Sequence, residues 1–120
     1  MPLFSPIVDD YYSGMVVTVP LYVDMLKDAS VSKLREFFTE YYKGERFITV
    51  AGDDDEIASS GFISGNQLSG YDGLKIYVTG NEERILLTSQ FDNLGKGASG
   101  AAMQCMNIVL GCDEAKGLNL

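Results

Sequence analysis

The segment that most constrains the fold lies near the end of the chain. Residues Ala98 to Leu110 (ASGAAMQCMNIVL) read as a helix closed by Gly111, with apolar side chains over most of its circumference. Ala98, Ala101, Ala102 and Cys105 line one side, and Met103, Met106 and Leu110 another. A helix of that kind expects burial on more than one side. The rest of the chain must therefore offer it a sheet and a second helix, and still falls short of covering it.

The remaining pattern supplies those pieces. Met1 to Ser13 is an irregular lead-in, broken by Pro2 and Pro6. Gly14 to Tyr22 (GMVVTVPLY) reads as a strand, and Pro20 suits an edge or a bend. Ser30 is a good N-cap. Val31, Leu34, Phe38 and Tyr41 follow at helical spacing, with Lys33, Arg35, Glu36 and Glu40 opposite, up to a stop at Gly44. Arg46 to Val50 is a short strand. Gly52 to Leu68 reads as a loop holding a brief extended piece at Phe62-Ile63; so long a loop is usually functional or mobile. Gly73 to Thr79 and Arg84 to Phe91 form a hairpin across Gly80-Asn81. The order strand, helix, strand, hairpin, helix predicts an α+β fold with a mainly antiparallel sheet. The chain's 120 residues suit one domain.

Composition excludes several functions. The chain has no His, so Ser-His-Asp and Cys-His catalysis cannot be assembled within it. Lys plus Arg number 9 against 17 for Asp plus Glu, a net charge of −8. That charge argues against nucleic acid and against an anionic membrane surface as partners. No apolar run reaches the roughly 20 residues of a membrane span, and the first residues lack the pattern of a signal peptide. Cys105 and Cys112, seven positions apart on one predicted helix, stand too far apart to bridge. A reducing, cytoplasmic setting fits them.

Four motifs invite chemistry. Gly95-Lys96-Gly97-Ala98-Ser99-Gly100 matches G-x-G-x-x-G between a strand and a helix. A dinucleotide fold needs a further parallel strand beyond that helix, and only ten residues follow Leu110. The run then reads as a glycine-rich helix start, whose free N–H groups, with Lys96 and Ser99 near, suit an anion or a carboxamide. Asp53-Asp54-Asp55-Glu56 fails as an EF-hand, with Ala58 where the sixth position needs Gly and Ser64 where the twelfth needs Glu. A solvated acidic loop is expected there. Cys105 reads as a small buried apolar residue. Asp92-Asn93, at a strand-to-helix junction, serves equally as a helix cap or a ligand site.

The run Gln90 to Gly111 (QFDNLGKGASGAAMQCMNIVLG) resembles the C-terminal signature of N-acetyl-gamma-glutamyl-phosphate reductases, of the semialdehyde dehydrogenase group. Phe4 to Leu21, Val31 to Val50 and Gly65 to Arg84 are similar to other stretches of that family. The resemblance implies part of a C-terminal domain like that of glyceraldehyde-3-phosphate dehydrogenase. It implies a parent enzyme of arginine biosynthesis that uses NADPH to reduce an acyl phosphate to the semialdehyde. It also implies a homodimer built on a sheet face, here the Gly73–Phe91 hairpin and its neighbours. The last helix of such chains packs on an N-terminal nucleotide-binding domain. The family's cofactor contribution falls on Asn93, Leu94 and Gly95, with Lys96 and Gly97 adjacent.

The departures from the family are as informative. Its catalytic thiol sits in a Pro-Gly-Cys segment, which is absent here, as is its general acid–base His. Its dinucleotide fingerprint has no counterpart upstream, and Ser13-Gly14 stands where the family often has Arg-Gly. The expectation is a partial substrate and dimerisation domain over residues 1–120, without catalytic residues of its own and without metal. The competing expectation is a free-standing α+β module for ligand binding or oligomerisation.

Overall fold

A computed structural model describes residues 4–55 and 60–120. Pro2, Glu56 of the acidic run and Ala58 thus lie outside the described residues.

Strand β1 (Met15–Tyr22) leads through a short 3-10 turn (Val23–Met25) to helix α1 (Val31–Tyr41). Strands β2 (Ile48–Val50), β3 (Leu74–Gly80) and β4 (Arg84–Phe91) follow. A π-helical turn (Gly95–Ser99) then runs into helix α2 (Gly100–Val109). The sheet order is β1-β4-β3-β2. The β1–β4 and β3–β4 pairs are antiparallel and the short β2–β3 pair is parallel. The α+β class with a mainly antiparallel sheet is therefore what forms. Pro20 sits on an edge strand, where a missing N–H is tolerated.

The local rules act where the sequence placed them. Ser30 Oγ accepts the Lys33 N–H at 3.2 Å and opens α1. Gly44, with φ of 87°, ends its last turn. Asn81 Oδ1 accepts the N–H groups of Glu83 and Arg84 at 3.0 and 2.9 Å, folding the hairpin tip.

Alternation splits the sheet into two different faces. Ile76, Val78 and Ile85 are buried on one face, under Val31, Leu34 and Phe38 of α1. Beside that contact, an apolar groove of about 250 Å³ runs between α1 and β1, lined in part by Val17, Val19, Phe38 and Tyr42.

On the opposite face Tyr77, Thr88 and Gln90 are buried, and each of them is hydrogen-bonded. Tyr77 donates its hydroxyl to Gln90 Oε1 at 2.9 Å, and Gln90 Nε2 donates to the Ser64 carbonyl at 2.5 Å. Thr18 and Thr88 hydroxyls pair at 3.1 Å, and Lys75 Nζ reaches Asp55 at 2.5 Å. The Gln90–Ser64 and Lys75–Asp55 contacts hold the long connection between β2 and β3 across the sheet. That connection forms turns over 65–70 and no strand at Phe62-Ile63, so the extended piece expected there is absent. Around 65–71 its backbone bonds run locally, Ser69 N–H to the Asn66 carbonyl and Tyr71 N–H to the Leu68 carbonyl.

Candidate functional site

β4 ends at Phe91, and the next residue organises everything around it. Asp92 is 3% exposed. Its Oδ1 accepts the N–H groups of Leu94 and Gly95 at 2.7 and 3.2 Å. Its Oδ2 accepts the Gly70 N–H at 2.6 Å and the Ser13 hydroxyl at 3.0 Å. Its carbonyl takes the Gly97 N–H at 2.8 Å. The Ser13 and Ser69 hydroxyls meet at 2.5 Å. One carboxylate thus binds the chain before β1, the turn before β3 and the start of the last helix.

The adjacent Asn93 is half-buried, and its Oδ1 accepts the Gly14 N–H at 2.7 Å. That bond fixes the amide, because only an oxygen can face an N–H. The Asn93 Nδ2 has no hydrogen-bond partner among the described residues. No buried side-chain polar atom there lacks a partner, so this NH2 reaches solvent. Leu94 lies exposed beside it.

The expectation of free N–H groups at the helix start requires correction for four of them. The amides of Leu94, Gly95 and Gly97 are held by Asp92, and the Ser99 N–H by the Leu94 carbonyl at 3.0 Å. The helical run also begins earlier than Ala98, with a π turn from Gly95. The glycines explain it by close approach. A Cβ on Gly95 would lie 2.9 Å from Asp72 Oδ1, and one on Gly97 would lie 3.0 Å from the Phe91 ring. On Gly100 it would lie 2.1 Å from Asp72 Oδ1 and 2.8 Å from the Gly95 carbonyl. Lys96 turns elsewhere: its Nζ donates to Gln104 Oε1 at 2.7 Å and stands 4.8 Å from the Phe47 ring centroid. The cluster can therefore donate from Asn93 to an acceptor oxygen and offer Leu94 to a flat apolar group.

Helix α2 is inside out. Its buried residues are Gly100 and Asn107, while Met103, Met106, Ile108 and Val109 are exposed. Asn107 Nδ2 donates to the carbonyls of Glu114 and Lys116 at 3.1 and 2.9 Å, holding the tail against the helix. Arg46 anchors that tail through Asp113 at 3.0 Å. Farther on, Asn119 Nδ2 donates to the Gly70 carbonyl at 2.6 Å, and the Asn119 N–H to Asp72 Oδ2 at 2.9 Å.

Cys105, expected to be buried, is exposed, because it sits on the uncovered side of this helix. Cys112 lies beyond the helix end rather than on it, and both cysteines are free. Asp92 was legible as a cap-or-ligand residue. Ser13, Ser69, Gly70 and Asn119 carry no local signal for their part in the cluster. Among the described residues there is no group of three metal-ligating side chains, and no helix is long and apolar enough to cross a membrane.

Burial alone would raise the Asp92 pKa. The hydrogen bonds from Gly70, Leu94, Gly95 and Ser13 outweigh it and hold the carboxyl below its ordinary value of 3.8. A carboxylate depressed on folding stabilises fully above its unfolded pKa and loses that contribution as pH falls through the native one. Acid melts should therefore show stability falling below that ordinary value, and Asp92→Asn should start less stable and have a flatter acid limb. Parallel acid limbs for the two proteins would contradict this.

Comparison with known proteins gives consistent matches. The family described as semialdehyde dehydrogenase, dimerisation domain, matches residues 1–93. N-acetyl-gamma-glutamyl-phosphate reductases of Brucella ovis, Brucella canis and Brucella suis are each 41% identical over 113 residues. Those alignments cover 92% of this chain and 36% of each relative, so the chain spans about a third of the length of the relatives it matches.

Proposed function

The chain belongs to the semialdehyde dehydrogenase dimerisation-domain family, and from that premise we propose that it is the substrate-and-dimerisation part of an N-acetyl-gamma-glutamyl-phosphate reductase. In this reading it works in arginine biosynthesis, in the cytoplasm, as a homodimer. Its partner is an N-terminal nucleotide-binding domain that carries the dinucleotide fingerprint, and the Pro-Gly-Cys thiol and the acid–base His are supplied from outside this chain. The dimer surface falls on a sheet face at the Gly73–Phe91 hairpin and its neighbours.

The observation that carries the reading is the placement of the Asn93 turn beside an inside-out helix. The turn presents an amide donor and an apolar side chain, while the adjoining helix offers an uncovered apolar flank to a second domain. Asn93, Leu94 and Gly95 suit the carboxamide end of a nicotinamide; Lys96 and Gly97 are adjacent to them. The fit is to the carboxamide and not to phosphate, because the Leu94, Gly95 and Gly97 amides are taken and Lys96 points to Gln104. NADPH, when bound, supplies the hydride. Asn93 would donate to the carboxamide oxygen and set the ring's orientation, and Leu94 would exclude water beside it.

The chain by itself is expected to give no turnover, since the Pro-Gly-Cys thiol and every His are absent. NADPH should bind weakly or undetectably, because most contacts come from the other domain and the −8 charge opposes an anion. Titration calorimetry and a semialdehyde oxidation assay test both points. Supplying the rest of a Brucella reductase, with its nucleotide-binding domain, its catalytic thiol and its acid–base His, should restore NADPH-dependent reduction. Micromolar NADPH affinity for the chain alone, turnover by it, or an inactive reconstituted pair would overturn the reading.

A further inference from the structure

We propose that Asp92 is a positioning residue: with Gly14 it sets the Asn93 amide with its oxygen inward and its NH2 toward the ligand side. The inference rests on Asn93 facing the ligand, as proposed above, and adds what holds it there.

A carboxylate offers about four lone-pair positions. Asp92 fills them with Leu94, Gly95, Gly70 and Ser13. None remains to take a proton from a substrate, so an acid–base role is closed to it. The bonds converge on Asn93 from both sides. Leu94 and Gly95 follow Asn93 directly, and Ser13 precedes the Gly14 whose N–H the Asn93 amide oxygen accepts. Gly14 itself lies hard against the Gly65 backbone. Its φ is +126°, and a Cβ there would lie 2.3 Å from the Gly65 carbonyl oxygen. The amide cannot turn over without setting its NH2 against the Gly14 N–H. Asn93 is thereby a donor toward its ligand, which selects a carbonyl or carboxamide oxygen over a hydrogen-bond donor.

The test is NMR on the 15N-labelled chain, without cofactor. In Asp92→Asn the new NH2 must face either the Leu94 and Gly95 amides or the Gly70 amide, and both arrangements set donor against donor. The Gly14 amide should exchange about tenfold faster, the scale of one lost hydrogen bond. The Asn93 side-chain NH2 resonances should move toward those of a free amide. The β3 and β4 amides of Val78 and Ile85 should keep their protection. Ser13→Ala, which removes one donor and preserves the carboxylate, should give a smaller shift of the same two signals. Unchanged Gly14 and Asn93 signals in both variants would overturn the proposal, as would an equal loss of protection at Val78 and Ile85. These readouts need no cofactor, so their failure is distinguishable from failure of NADPH-dependent activity in the reconstituted pair.

Discussion

Gly14→Ala should be among the most damaging single substitutions in this protein, shifting the urea midpoint far below that of the parent chain. The backbone at Gly14 has φ of +126°, a region closed to side chains. The added methyl would also lie 2.3 Å from the Gly65 carbonyl oxygen and 2.7 Å from the Asn66 Cα. Both obstacles are backbone and neither swings away. Strain of this kind costs about 1–3 kcal/mol and overpacking about 1–3 kcal/mol more. Against a total stability of roughly 5–15 kcal/mol for a typical domain, the loss is a large fraction. Gly44→Ala is the matched control, since Gly44 has φ of +87° and nothing within 4 Å of the added carbon. It should cost only about 1–2 kcal/mol. If Gly14→Ala proved no worse than Gly44→Ala, the tight packing of Gly14 on Gly65 would be refuted.

That clasp also marks the boundary of what the sequence made legible. The hairpin, the Ser30 cap and the Gly44 stop depend on neighbours a few positions away, and they form where the pattern put them. The Asp92 cluster joins positions 79 apart, Ser13 to Asp92 and Gly14 to Asn93. No periodicity encodes a contact of that separation. The glycines of the G-x-G-x-x-G run were visible, but their reason was not. Asp72, which crowds Gly95 and Gly100, arrives from the turn before β3. The polar stripe of α2 was hidden too. Gln104 and Asn107 sit among Ala, Met and Ile, and only the returning tail shows that they face inward.

The uncovered flank of that helix sets the second large effect, which is association. Met106 is 52% exposed and Val109 85%, on a helix that buries only Gly100 and Asn107, and Leu110 at its C-cap is 66% exposed. Apolar surface gathered in this way promotes contact between molecules. Sedimentation at high concentration should therefore find a dimer or a larger species. Replacing Met106, Val109 and Leu110 together by Gln leaves the net charge of −8 unchanged. Any lost association then reports lost apolar contact, not added repulsion. Burying one such side chain stabilises by about 1.5–3 kcal/mol, so partial burial of three should weaken association through this flank, beyond the sheet-face dimer, by about a hundredfold or more. The circular dichroism spectrum should stay the same, because none of the three is buried in the chain's own core. A parent chain that sediments as a clean monomer would remove the helix flank as an association surface. A triple variant that assembles beyond the dimer as strongly as the parent would do the same, leaving the sheet face, where Val17 and Val19 of β1 are open beside the groove, as the contact that remains.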